Sequence, residues 1–230
     1  GMVGIMLPFF PVWLLSKGMS AAEIGLILGS ATFARIIFNP IIGQIADLYG
    51  TRQPIIFILA VLSSLCFSSY FIVDGFWIII LVTIIFNGFW SGMQPLAESL
   101  TMLSLKQVKI DYGRVRLWGS IAFILTALIA GKIIGIKTDH LILILIFLFI
   151  NLMVVVTLFL PKLKTKISII PQYPLSQLFR NYGLIIVIFS AALIQSSHAL
   201  YYSFGSIHWK TLGFSSTAIG LLWAEGVVAE

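Results

Sequence analysis

The sequence predicts an all-α polytopic membrane protein, and three observations carry that reading. Of its 230 residues, 60% are hydrophobic and 10% are charged, with a mean hydropathy of +1.08. A soluble domain carries about a quarter charged residues, so this chain lacks the charge to cover a water-facing surface. Its apolar residues gather into runs that reach the ~20 residues a membrane-crossing helix needs. Those runs do not alternate apolar with polar residues, as the strands of a membrane barrel do. A soluble enzyme, a disordered chain and a disulfide scaffold are excluded together.

The runs follow in order: 3–15, 21–42, 54–73, 76–103, 117–136, 141–160, 182–207 and 216–230. Those between the first and last are long enough, at ~1.5 Å per residue, to cross ~30 Å of hydrocarbon as helix. The first and last fall short and are expected to be cut spans. No basic region or cleavage site at the start marks a signal peptide. Cys66, the single cysteine, cannot form an internal disulfide and sits in an apolar stretch, which suits a core residue.

Loop charge sets the orientation. The net charge is +6, with lysine and arginine spread over several short loops rather than in one tract. One set of loops holds Arg52, Lys106, Lys109, Arg114, Arg116, Lys162, Lys164, Lys166 and Arg180; the other holds Lys17, Lys132, Lys137 and Lys210. Cytoplasmic loops carry the basic excess, so the first set is expected inside, together with the start of the chain. The stretch 161–180 holds Pro161, Pro171 and Pro174 and lysines at alternate positions. Proline blocks helix continuation, and the stretch reads as a linker.

A repeat divides the chain at that linker. Gly18-Met19-Ser20-Ala21-Ala22-Glu23-Ile24-Gly25-Leu26 matches Gly213-Phe214-Ser215-Ser216-Thr217-Ala218-Ile219-Gly220-Leu221 at an offset of 195 (213 − 18), with both glycines, Ser, Ile and Leu identical. Both copies join the first and second spans of a half. Many secondary transporters are built from parallel six-span repeats. The expected domains are therefore a six-helix transmembrane half at 1–160, a cytoplasmic linker at 161–181 and the start of a second half at 182–230.

The break after the second span reads Gly43-Gln44-Ile45-Ala46-Asp47-Leu48-Tyr49-Gly50-Thr51-Arg52. Gly43 would let two helix ends approach, Asp47 can meet a helix N-terminus or a cation, and Gly50 allows a tight turn. This spacing of Gly, Asp, Gly and a basic residue resembles the cytoplasmic signature of the major facilitator superfamily. The resemblance implies a gating loop at Gly43, Asp47, Gly50 and Arg52 that latches the cytoplasmic side. Leu48 stands where the family usually has a basic residue.

The fourth span carries Asn87, Ser91, Gln94 and Glu98 at offsets of 4, 7 and 11, one helical stripe. Hydrocarbon penalises such a stripe, so it should face protein or a watery cavity. Interhelical hydrogen bonding suits Asn87 and Ser91; an intramembrane carboxylate such as Glu98 suggests function. Pro95 frees a backbone carbonyl in the same stretch. Next comes Asp111-Tyr112-Gly113-Arg114-Val115-Arg116-Leu117-Trp118-Gly119-Ser120, where Arg114 and Arg116 lie on opposite helical faces. Pro95-Leu96-Ala97-Glu98 with Tyr112-Gly113-Arg114-Val115-Arg116 resembles the fourth and fifth spans of the lactose permeases. That resemblance implies a substrate-binding ion pair of Glu98 with Arg116. Phe123 falls where those permeases stack a tryptophan on the sugar.

The seventh span holds Gln195, His198, Tyr202, Ser206 and Trp209 as one stripe. Histidine titrates near neutral pH and can carry a proton. The stretch Gln195–Trp209, with Gly220-Leu221-Leu222-Trp223 and Gly226-Val227-Val228-Ala229-Glu230, resembles the bacterial phenylpropionate permease branch. Arg35, Asn39, Glu225 and Glu230 are further polar groups within spans. The glycine pairs Gly25/Gly29, Gly88/Gly92 and Gly131/Gly135 read as notches for helix contact.

The resemblance implies a major facilitator fold: the N-terminal six-helix half plus about two helices of the C-terminal half. It implies proton-coupled uptake of a small organic solute by alternating access, with a phenylpropionate-type aromatic acid the leading choice. Sugar or nucleoside symport and drug or metabolite export are the alternatives. Expected substrate-binding residues are Glu98, Arg116, Phe123, Gln94, Asn87, Tyr202 and Trp209, with Glu98 and His198 coupling protons. The expected partners are the solute, protons and the lipid bilayer, without nucleic acid, metal or cofactor. The full-length protein is expected to be a monomer in the bacterial inner membrane. A membrane-embedded enzyme is the rival class, but no Gly-x-Ser-x-Gly turn, Walker loop or His-Glu-x-x-His helix is present.

Overall fold

The computed structural model describes residues 1–105, 111–136, 140–163 and 180–229, with the side chains of 135 and 136 excepted. Lys106, Lys109, Lys137, Lys164, Lys166, Glu230 and most of the linker lie outside the described residues. Among the described residues, the regular structure is helical throughout. The helices are α1 (Val3–Ser16), α2 (Ala21–Tyr49), α3 (Gln53–Ser68), α4 (Phe76–Leu105), α5 (Tyr112–Ile136), α6 (His140–Leu158), α7 (Tyr182–Ser197), α8 (Ala199–Thr211) and α9 (Ser216–Ala229). A 3-10 turn, Ser69–Phe71, extends α3. Six segments are long and apolar enough to cross a membrane, with α7 and α8 together forming one of them; α1 and α9 are shorter apolar helices.

Local chemistry sets the helix ends. Ser20 opens α2 with a capping box: its hydroxyl accepts from the Glu23 N–H at 3.3 Å, while the Glu23 carboxylate accepts from the Ser20 N–H at 2.8 Å. Such a cap stabilises a helix by about 1 kcal/mol. Gly50 closes α2 in the left-handed conformation, φ 65°, and its N–H donates to the Ala46 carbonyl. Pro54 sits in the first turn of α3, where its missing N–H costs nothing.

The sequence repeat is also a repeat of geometry. Gly18 and Gly213 both take left-handed φ, 79° and 86°. The Met19 N–H donates to the Leu14 carbonyl as the Phe214 N–H does to the Trp209 carbonyl, each pair shifted by 195. Ser215 caps α9 through the Ala218 N–H at 3.2 Å, as Ser20 caps α2. Ile24 and Ile219 are both buried.

Two expectations about the second span are corrected. The helix does not stop at 42 but runs through Gly43 and Asp47 to Tyr49. Pro40 lies inside the helix without ending it, and no left-handed residue follows until Gly50, so Gly50–Arg52 form the turn. Gly43 makes no close approach: a Cβ there would meet nothing within 4 Å. The seventh span, by contrast, is interrupted at His198, between α7 and α8.

Glycine controls the packing elsewhere. Helices α2 and α4 run parallel, with Gly88 against Phe38 and Gly92 against Ile42, where an added Cβ would lie 3.0 and 2.5 Å away. In the α5–α9 contact, a Cβ on Gly131 would meet the Ser216 carbonyl, and one on Gly220 the Ala127 carbonyl, each at 2.6 Å. Gly88, Gly92 and Gly131 are expected notches and Gly220 is an additional one; Gly29 is not a notch, since a Cβ there would meet nothing within 4 Å among the described residues. Helix α1 packs on α5, α6 and α8. The core gathers Phe9, Trp13, Phe67, Tyr70 and Phe86 around α1, α3 and α4.

Candidate functional site

A cavity of ≈ 330 Å³ opens between α1, α2, α4, α7 and α8. Its wall is mainly apolar and aromatic, with Phe10, Leu28, Trp90 and Tyr202, and carries the polar groups of Thr32, Thr83, Asn87, Gln195 and Ser203. Arg35 is the one charged side chain among the described lining residues. Its guanidinium Nη2 donates to Asn87 Oδ1 at 3.2 Å. Asn87 is fully buried and held in turn: its Nδ2 donates to the Thr83 carbonyl at 3.0 Å. Thr83 bonds back to the Ile79 carbonyl, and its hydroxyl meets the Tyr70 hydroxyl at 2.8 Å.

No described carboxylate lies within 4.0 Å of Arg35; the ion pairs among described residues are Lys17–Asp74 and Arg52–Asp47. A cation at membrane depth without a counter-charge is costly and marks a functional site. What this pocket offers is one guanidinium with donors to spare, an apolar wall and aromatic faces.

The sequence-predicted residues fall at different levels. Asn87 and Tyr202 line the cavity. His198 stands behind that wall, stacked on Tyr202 with ring centroids 5.6 Å apart, while its Nδ1 lies 2.9 Å from the Ile194 carbonyl. Tyr202 stacks in turn on Trp223, whose indole N–H donates to the buried Ser206 hydroxyl at 2.8 Å. Trp209 packs edge-on against Trp223 and the core rather than facing the cavity. Phe123 is half-buried and also packs on the core.

The expected Glu98–Arg116 pair does not form. Both side chains are exposed, and Glu98 instead accepts a hydrogen bond from Gln94, one turn earlier on the same helix, at 3.3 Å. Glu98 stands 11 residues beyond Asn87, about 16 Å along α4 at ~1.5 Å per residue. It therefore belongs to a different level from Arg35. In the segment expected to gate, Asp47 and Arg52 pair at 3.3 Å across the Gly50 turn. Sequence reasoning left Arg35 outside the site; its signal was a cation within an apolar run.

The fold agrees with comparisons to known proteins. The MFS_1 like family model matches residues 1–230. The chain belongs to this family of the major facilitator superfamily. A probable 3-phenylpropionic acid transporter of Escherichia coli (strain K12) is 33% identical over 233 residues, covering 99% of this chain and 61% of that protein. The maltose permease of Geobacillus stearothermophilus is 29% identical over 140 residues, covering 60% of this chain and 34% of that protein. The chain thus spans about three fifths or less of these curated relatives. The crystal structure of the nucleoside transporter NupG superposes with a TM-score of 0.73 at 18% identity, covering 89% of this chain and 53% of that chain. This major facilitator family member is a multi-pass protein of the bacterial inner membrane.

Proposed function

We propose that this chain belongs to a secondary active transporter that imports a small aromatic acid with protons by alternating access. The observation that carries the reading is Arg35, the one cation among the described residues that line an apolar and aromatic cavity. An arginine fork binds a carboxylate bidentately, and Trp90, Phe10 and Tyr202 offer faces to a ring. The name of the 33% identical relative, a probable 3-phenylpropionic acid transporter, supports the same solute class.

Roles for the remaining residues follow from their levels. Arg35, anchored by Asn87, holds the solute anion. His198, stacked on Tyr202, and Glu98, beyond the cavity, serve the proton. Asp47 and Arg52 latch the cytoplasmic end at the Gly50 turn, and Arg116 is a cation near that end. On a division of the chain at 161–181, the residues lining the cavity come from both halves, which rock against each other.

The test is uptake by vesicles carrying the natural protein, with labelled 3-phenylpropionate, maltose and uridine compared under an inward proton gradient. Gradient-dependent accumulation of the acid alone supports the reading. The maltose permease relative favours a second reading, a neutral sugar; accumulation of maltose and not of the acid would establish it instead.

A further inference from the structure

We propose that Asn87 is the residue that sets the charge of the solute, by orienting Arg35 without neutralising it. The inference rests on reading the Arg35 cavity as a carboxylate site.

The hydrogen bonds fix which end of the Asn87 amide faces the cation. A carbonyl can only accept, so the Thr83 carbonyl takes the Nδ2 donor. Oδ1 is then turned to Arg35 Nη2. Asn87 cannot easily turn away, because it is fully buried and Gly88 beside it packs on Phe38. One guanidinium N–H is thereby anchored, and the remaining donors are left for a ligand.

An amide oxygen accepts this hydrogen bond but brings no net charge. The cavity keeps its positive charge, and an arriving carboxylate finds a cation already aimed. A carboxylate at position 87 has nearly the same shape. It would accept the same hydrogen bond and cancel the charge of Arg35. It would also repel a solute anion at short range, where like charges are heavily penalised. Neutrality at this one position thus selects an anion over a neutral molecule, a discrimination made by repulsion as much as by attraction.

The experiment uses the natural protein in vesicles, with labelled 3-phenylpropionate and its neutral amide, 3-phenylpropionamide. In Asn87→Asp, apparent affinity for the acid should fall by at least about 100-fold, while the amide binds as well as in wild type or better. Retained amide binding shows that the variant is folded. In Asn87→Ala, which removes the orienting acceptor but adds no charge, KM for the acid should rise about 5- to 10-fold with kcat within about twofold. That variant carries the test alone if Asn87→Asp does not fold. Unchanged KM for the acid in either folded variant, or equal loss of acid and amide in Asn87→Asp, overturns the proposal. If wild type takes up no aromatic acid, the carboxylate reading falls, and this proposal with it.

Discussion

Arg35 and Asn87 meet across two parallel helices: the guanidinium of α2 donates to the amide oxygen of α4 at 3.2 Å, inside the wall of the cavity. The contact joins a charged group that has no described counter-ion to a neutral one whose own orientation is fixed by the Thr83 carbonyl. On the proposed reading, it converts a costly intramembrane cation into an aimed binding group.

Removing that charge should remove the function. Arg35→Gln keeps a donor for Asn87 but loses the cation, and uptake of 3-phenylpropionate at low concentration should fall about 100-fold, the equivalent of ~3 kcal/mol of charge-assisted contact. Arg35→Lys should recover part of it, since lysine keeps the charge but not the fork. Initial uptake rates against solute concentration measure both.

Close backbone approach should make the α5–α9 contact intolerant of side chains. Gly220→Ala places a Cβ 2.6 Å from the Ala127 carbonyl, which must shift. A loss of about 1–3 kcal/mol is expected from such overpacking. Gly29→Ala meets nothing within 4 Å and should change stability little. Thermal midpoints of the two purified variants compare them directly.

The repeated helix starts should respond alike. Ser20→Ala and Ser215→Ala each remove an N-cap acceptor and should each cost about 1 kcal/mol. A larger loss at Ser20 is consistent with its added Glu23 bond. Denaturation of the two variants in the same detergent reads the difference.

Much of the fold was legible in the residues. Length and hydropathy mark the apolar runs, Gly18 and Gly213 mark the matching turns, and Gly88, Gly92 and Gly131 mark contacts. The end of α2 was not legible, because Gly43, Gln44 and Asp47 made the stretch read as a loop although nothing in it breaks a helix. The site was half legible. Asn87 and Tyr202 reach the cavity, but Glu98 and Arg116 do not meet. Helical periodicity fixes the face a residue shares, and it does not fix the depth at which neighbouring helices cross. Arg35 stands a helix away from the stripe it serves, so only the packing of α2 on α4 reveals it.

Orientation is open to a labelling test. With Cys66→Ser as background, Lys17→Cys and Asp74→Cys should react with an impermeant thiol reagent added outside, because the basic excess of the other loops predicts that the end of the bundle holding the Lys17–Asp74 ion pair faces out. Leu48→Cys, exposed near the opposite end of α2, should react only after the membrane is opened. The reverse pattern would invert the topology and move the proposed Asp47–Arg52 latch to the outside.

The most direct measurement of the central claim is proton movement on solute addition. Vesicles carrying the natural protein, with no imposed gradient, receive 3-phenylpropionate while external pH is followed. Proton-coupled import predicts a solute-dependent alkalinisation of the medium that is absent in Arg35→Gln and absent when 3-phenylpropionamide replaces the acid. Equal alkalinisation in wild type and Arg35→Gln, or none in wild type despite uptake of the labelled acid, contradicts the account.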